Sequence, residues 1–486
     1  MLAILLTSVA LAADPPPTWQ ELPRTFALAP ERFEELLCAG HEEVVRIVVF
    51  GDSQETCPGG NGCSYLPNIN RGFFDRIGAI GETPVISHWS IGSSSPAAWL
   101  WRAKIGAPNG ETSSLAESAV LPAMKPRRHR STDSPVQTYG LLGMLLHDAS
   151  LGSDPELADA VYFDNGSSEV VAEVLAIAGP PSGGVSWRAL PRATNVPSYF
   201  AEPTGSGVFE LDLLSKSGPE IRTARTPPLD FAGLPYMAVE IAGDDPETPT
   251  EILGLRFVDL ANHRGVVVQS FSRGGYHIGR LLSEHGDSGW MLKGLDPDLA
   301  ILHYGANAPS ALIEPEAWRD HLVETIGWIR ASMDEPDFPI VLVGEVHRAA
   351  LGPVQQAIFD AQPAVLAELA AKDPDLAFVN LRRIAHERYG WGFDDESYLL
   401  DPAHLTVEGQ RLLANALVDD LHSLGRIEGD LDGDGVVGAA DLASMLAAWG
   451  TSGGVACASR ADLDGDGTVS GSDLLKLLAA WTPAKP

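Results

Sequence analysis

Short, almost wholly apolar runs alternate with longer amphipathic stretches through much of the chain. Residues 44–50 form the first run, which stops on Gly51-Asp52-Ser53. A Gly-, Pro- and Asn-rich segment and a helical pattern over 73–80 follow. Further runs come at 265–268, 298–304, 339–343 and 376–381. Helical spacing lies between them at 278–283 and 316–333, and after them at 407–421. Runs this short, without in-out alternation, suit strands buried on both faces. Alternating with helices, they predict an α/β fold, a parallel sheet with helices on both sides in three layers. Thr406, just before the last of these helices, offers the hydroxyl that an N-cap needs.

The texture changes over 161–262. Gly, Pro, Ser and Thr are frequent there, and apolar positions alternate with polar ones at 208–213 and 237–241. Period-two runs predict short strands of an antiparallel β-sandwich, here inserted into the α/β domain. From about residue 426 the chain repeats itself. Asp430-Leu431-Asp432-Gly433-Asp434-Gly435 recurs as Asp462-Leu463-Asp464-Gly465-Asp466-Gly467, and Asp441 and Trp449 recur as Asp473 and Trp481, all at one offset (462 − 430 = 32). An offset shared by separate landmarks marks a duplication. The expected boundaries are 1–13 for a signal peptide, 14–160 and 263–425 for two parts of one α/β domain, 161–262 for the insert and 426–486 for the tail.

Charge narrows the function. The formal net charge is −32 and the pI about 4.6. Nucleic acid and anionic membranes both require Lys/Arg patches, so neither is an expected partner. Residues 2–12 are apolar but too few to span a bilayer, and Ala10 and Ala12 before a Pro-rich break resemble a cleavage site. The chain is expected to be secreted, extracellular or periplasmic, although no Lys or Arg precedes Arg24. Four cysteines are too few to hold a chain of this size together. Cys57 and Cys63 flank a flexible Pro-Gly-Gly-Asn-Gly segment and are the expected disulfide, while Cys38 and Cys457, in different regions, are not expected to pair.

Two strand ends and one short turn carry candidate chemistry. Ser53 follows the first apolar run, Asn307 follows the run at 298–304, and Asp401-Pro402-Ala403-His404 precedes the last helix of the α/β domain. Alone, each is an ordinary polar turn. In this order they resemble the SGNH (GDSL-type) hydrolase family, over roughly residues 44–423. The resemblance implies a flavodoxin-like sheet, Ser53 as nucleophile, His404 as base and Asp401 as its orienter. It implies an oxyanion hole from the backbone of Ser53 and Gly275 and the amide of Asn307. Ser90-Ile91-Gly92-Ser93 is an alternative to the Gly275 block. The sequence departs from the family at Ala308, where many members carry Asp. His303 is expected to be a core histidine, while His277 and His347 stand near the same edge.

Each tail repeat resembles an EF-hand loop. Asp430, Asp432, Asp434, Val436 and Asp441 fall at positions 1, 3, 5, 7 and 12 of the first loop. Asp462, Asp464, Asp466, Thr468, Ser470 and Asp473 supply the second. Alternating hard oxygen ligands suit Ca²⁺. Each loop runs into an amphipathic helix, so the tail resembles a type I dockerin with two structural Ca²⁺ sites. Ala439-Ala440 and Gly471-Ser472 replace the Ser/Thr pairs usual for cohesin recognition, leaving open a cohesin-like partner or docking within the chain.

The combined expectation is a secreted serine esterase, a carboxylic ester hydrolase needing no cofactor for catalysis. Members with a β-sandwich between these blocks resemble peptidoglycan and polysaccharide O-acetylesterases, which implies O-acetyl groups on carbohydrate as substrate. Trp187, Tyr199, Phe200, Phe231 and Tyr236 are the insert's candidate sugar-stacking aromatics. The alternatives are an O-acetyltransferase with the same triad and a non-catalytic carbohydrate-binding matrix protein.

Overall fold

The computed structural model describes residues 17–52, 69, 72–73, 81–82, 146–147, 158–163, 169–178, 185–192, 203–211, 220–234, 236–243, 251–272, 275–285, 289–346, 348, 350–390, 398–399, 403–422, 424, 429–431, 436–450, 461–463 and 468–481. The chain enters through strand β1 (Thr25–Ala27), helix α1 (Pro30–Ala39) and strand β2 (Val44–Gly51). Eight strands follow: β3 (Leu146–His147), β4 (Ala158–Phe163), β5 (Val170–Ala178), β6 (Val185–Arg192), β7 (Gly205–Phe209), β8 (Glu220–Arg225), β9 (Tyr236–Gly243) and β10 (Glu251–Asp259). The α/β alternation then resumes with β11 (Gly265–Ser270), α2 (Ile278–His285), α3 (Gly289–Leu295), β12 (Leu299–His303), α4 (Pro315–Met333), β13 (Ile340–Gly344), α5 (Pro353–Ala370), β14 (Leu376–Asn380), α6 (Leu381–Tyr389) and α7 (Val407–His422). Helices α8 (Ala439–Ala447) and α9 (Gly471–Ala479) close the chain.

The main sheet has the order β1-β14-β13-β12-β2-β11. All pairs are parallel except β1 with β14, which is antiparallel. Ignoring the edge strand β1, this is the doubly wound flavodoxin-like order, with the reversal of direction between β2 and β12. Side chains alternate across it with period two. Val45, Ile47, Val49, Ile301, Val341 and Val379 point into the layer formed by α1, α6 and α7. Val48, Phe50, Leu302, Leu342 and Phe378 point into the layer formed by α2 to α5, where Trp318, Leu322, Ile326 and Ile329 supply the stripe of α4. Both faces are covered, which is why these runs carry no polar alternation.

The intervening strands form two four-stranded sheets, β3-β10-β5-β8 and β4-β9-β6-β7, antiparallel throughout. They share one core of Val170, Ala172, Val174, Trp187, Phe209, Met237, Val239 and Phe257. Trp187 and Phe231 belong to that core, so these two aromatics fill the sandwich; Tyr199 and Phe200 lie outside the described residues. The other face of β5 meets the α/β domain, where Leu175 packs into the layer of α2 to α5 and Ile221 of β8 lies against Gly294 of α3.

Charge locks the same junction. Glu82, nearly fully buried, accepts a two-pronged hydrogen bond from Arg46 of β2 (2.7 and 3.1 Å) and one from Arg256 of β10 (3.0 Å). Arg256 also bonds Glu173 of β5, which takes a second guanidinium from Arg225 at 2.7 Å. Burial alone would raise the Glu82 carboxyl. Hydrogen bonds from His263 and Arg46 and the charges of Arg256 and Arg46 hold it down at about 2.

Cys38, not expected to pair with Cys457, is disulfide-bonded, with its partner outside the described residues. Pairing requires closeness in space, about 4.4–6.8 Å between Cα atoms, and distance along the chain says nothing about that. Cys57, Cys63, Cys457 and the expected signal segment also lie outside the described residues. No helix among the described residues is long and apolar enough to cross a membrane.

Candidate functional site

Open α/β sheets take ligands outside the carboxyl ends of their strands, at the point where strand order reverses. Here that point lies between β2 and β12. β2 ends on Gly51, followed by a fully buried Asp52. Ser53, next along the chain, lies outside the described residues, as do Asp401, His347 and the alternative block at Ser90 to Ser93.

Neighbouring strands carry the other candidates. Gly275 follows β11 and precedes α2. Its φ of 77° lies in the left-handed region, and a Cβ there would meet nothing within 4 Å. Backbone conformation, and not crowding, makes glycine the natural residue at this turn. Asn307 follows β12, and its Nδ2 donates to the carbonyl oxygen of Tyr276 at 2.9 Å. Because β2 lies between β11 and β12, this bond arches over the end of β2. A side-chain amide carries two N–H donors, so fixing one on Tyr276 orients the other.

The Asn307 loop is braced from below by buried polar residues, of which Glu345 and Gln362 belong to none of the sequence motifs. Glu345, just past β13, accepts from the Ala306 N–H at 3.2 Å, and its other oxygen lies 3.6 Å from His303 Nε2. Gln362 of α5 donates to the Gly305 carbonyl at 3.0 Å. Glu345, Gln362 and His303 are all buried. A Cβ on Gly305 would stand 2.6 Å from both Gln362 Oε1 and Glu345 Cγ, so only glycine fits beneath the loop. Glu345 did leave a signal: a carboxylate at the carboxyl end of a wholly apolar strand is placed where such sheets bind ligands. Ala308 packs into the core with Tyr276, Tyr304 and Trp318. A carboxylate at that position would sit in apolar surroundings.

His404 is half-buried on the turn leading into α7. Ala403 and Leu405 on either side are buried, Leu405 pairs with Leu399 in a short bridge, and the Thr406 N–H bonds the Tyr398 carbonyl at 2.8 Å. Thr406 Oγ1 caps α7 by accepting from Gly409 N–H at 3.2 Å. The turn is thus pinned on both sides of the imidazole.

In the tail, Asp441 and Asp473 are buried, and each closes its own loop. Asp441 accepts from Leu431 N–H (2.7 Å) and Gly438 N–H (2.6 Å), and Asp473 from Leu463 and Ser470 N–H (2.7 Å each). Ser470 Oγ caps α9 through Ser472 N–H. The two halves share one small core, Val437 and Met445 matching Val469 and Leu477 at the repeat offset. Asp432, Asp434, Asp464 and Asp466 lie outside the described residues. Each twelve-residue loop holds four aspartates and no Lys or Arg. A donor set of hard, mutually repelling oxygens with no cationic side chain fits a Ca²⁺ ion.

Residues 242–412 match the model of the GDSL-like lipase/acylhydrolase family, and residues 428–479 match the dockerin type I domain. No curated protein matches the chain. Among solved structures it is similar to a peptidoglycan O-acetylesterase, with a TM-score of 0.45 and 16% identity over 82% of this chain and 98% of the other. A family two carbohydrate esterase from Clostridium thermocellum gives a TM-score of 0.28 and 11% identity over 55% and 91%. A carbohydrate esterase family 3 structure from Talaromyces cellulolyticus gives 0.26 and 15% over 32% and 70%.

Proposed function

We propose that this chain, a carboxylic ester hydrolase by virtue of its GDSL-like lipase/acylhydrolase domain, removes O-acetyl groups from carbohydrate through an acyl-serine intermediate on Ser53. The observation that carries the reading is the Asn307–Tyr276 hydrogen bond, which ties the loops after β11 and β12 together over the end of β2. A serine hydroxyl needs a base to become a competent nucleophile at neutral pH. His404 takes the Ser53 proton and returns it to the leaving alcohol. Asp401 holds the imidazole tautomer and stabilises its charged form. As the carbonyl becomes tetrahedral, the free N–H of Asn307 and the backbone N–H groups of Ser53 and Gly275 receive the oxyanion. Water then repeats the sequence on the acyl-enzyme.

The carbohydrate assignment draws on the dockerin domain that accompanies the hydrolase and on the sandwich packed against it. In the tail Asp430, Asp432, Asp434, Val436 and Asp441 would hold one Ca²⁺, and Asp462, Asp464, Asp466, Thr468, Ser470 and Asp473 the other, neutralising the loop carboxylates. Leu446 of α8 and Leu478 of α9, with Trp449 and Trp481 just beyond the helix ends, are exposed at equivalent repeat positions, a surface for a cohesin-like or intramolecular partner. We place the chain outside the cell.

The decisive test is labelling of the full-length protein with a fluorophosphonate, followed by peptide mass spectrometry, alongside acetate release from a panel of acetylated polysaccharides. The adduct is expected on Ser53, and Ser53→Ala is expected to lose both labelling and acetate release. An adduct on another serine, or a fully active Ser53→Ala, refutes the assignment. Activity on aryl acetates but on no acetylated polysaccharide removes the carbohydrate from it.

A further inference from the structure

We propose that Arg348 forms a subsite for an anionic group, a sugar carboxylate or a sulfate ester, carried by the substrate near its scissile ester; the position of that ester rests on the esterase reading above. Arg348 lies four residues past the end of β13 (348 − 344), as Asn307 lies four past the end of the adjacent β12 (307 − 303). Both loops therefore leave the same sheet edge side by side. A direct contact joins them: Arg348 Nη2 donates to Ser310 Oγ at 3.1 Å, three residues beyond Asn307. Ser310 is exposed, so a ligand reaches this pair from solvent.

The guanidinium is partnered in an unusual way for this chain. Acidic residues outnumber basic ones by 65 to 33. Guanidiniums with comparable cover hold carboxylates: Arg46 holds Glu82, Arg330 holds Asp373 and Arg388 holds Asp420. Arg348 is half-buried, and among the described residues no carboxylate stands within ion-pair distance. Its Nε is enclosed without an acceptor, and its hydrogen bond goes to a neutral hydroxyl. The nearby carboxylate of Glu345 is engaged with Ala306 and His303. A partly desolvated cation is costly until an anion meets it, and the planar fork of arginine suits two-oxygen anions. Such a charge-assisted contact is stronger than a neutral hydrogen bond and selects for charge. The negative charge of the protein as a whole does not cancel this at physiological salt, because it is screened beyond about 8 Å.

Titration calorimetry on the full-length Ser53→Ala protein tests the subsite without turnover. Its ligands are oligogalacturonides, sulfated galacto-oligosaccharides and neutral galacto-oligosaccharides of equal length. The expected preference for one acidic class over neutral is about tenfold or more. It should fall to near unity in Arg348→Gln and be kept in part by Arg348→Lys, and the preferred class identifies the anion. Circular dichroism checks that each variant is folded. An acidic-over-neutral ratio that is the same in Arg348→Gln and its parent, or a parent with no preference, overturns the proposal. Aryl acetate hydrolysis that survives Ser53→Ala in the otherwise native protein would end the esterase reading and leave the binding ratio unaffected.

Discussion

Removing the charge of Glu82 should loosen the junction between the two halves of the molecule, in a way that depends on pH. Glu82→Gln keeps the shape of the side chain and much of its hydrogen bonding while removing the charge that Arg46 and Arg256 share. The carboxyl falls from its ordinary 4.5 to about 2 on folding. At about 1.36 kcal/mol per pH unit, that drop corresponds to about 3.4 kcal/mol of stability at pH 7. Breaking buried ion pairs elsewhere costs about 3–5 kcal/mol. The lower end is expected here, because Arg46 stays beside Asp296 and Asp298 and Arg256 keeps Glu173. A folded-state carboxyl held below its unfolded value stabilises above pH 4.5, and that stabilisation is lost as pH falls towards 2. The gap between native protein and variant should therefore shrink to about 2 kcal/mol at pH 3.5. Urea unfolding followed by tryptophan fluorescence at pH 7, 5 and 3.5 measures it. A gap under about 1 kcal/mol at pH 7, or one unchanged at pH 3.5, would refute the argument that paired charge holds this junction.

Other consequences are within reach of simple assays. Asn307→Ala should lower kcat on an aryl acetate about 10²–10³-fold with little change in KM, because the lost donor acts on the transition state. Gly275→Ala has room for its methyl group but not the backbone conformation, so a loss of about 1–2 kcal/mol in thermal stability is expected, with reduced kcat. Glu345→Ala strips the acceptor from the buried Ala306 N–H and should cost about 1–3 kcal/mol in unfolding experiments, with a larger fall in kcat than in substrate affinity. Chelation of Ca²⁺ should abolish the calorimetric transition of the tail and leave that of the hydrolase in place, which differential scanning calorimetry with and without EDTA reads directly.

The parallel strands could be read from the chain because a strand buried on both faces has no polar alternation, and 44–50, 265–268, 298–304, 339–343 and 376–381 all lack it. Helix α4 occupies Pro315–Met333, within a residue of its hydrophobic spacing, and Thr406 caps α7 as its hydroxyl and position suggested. The edge strand β1 escaped notice because three residues are too few to show a period. Helix α5, between the last two strands, and helix α6, directly after the last one, have no counterpart in the sequence reading. Glu345 was passed over because its importance lies in the Ala306 N–H, which belongs to another segment. Trp187, a candidate sugar platform by sequence, is core, since an aromatic in a strand looks the same in sequence whichever way it faces.

Periodicity, capping residues and repetition are local properties, so the sequence by itself determined the α/β alternation, the two-fold tail and which residues are candidates for ester chemistry. Which segments meet depends on packing across the whole molecule. Only the tertiary structure decided that β2, cut off from β11 by the entire sandwich, lies between β11 and β12. It also decided that Asn307 bonds Tyr276 over the end of β2, and that Arg46, Glu82, Arg256 and Glu173 meet out of water. Strand partners and buried charges are chosen by the area and the opposite charge each segment finds in space, and neither quantity has a signature along the chain.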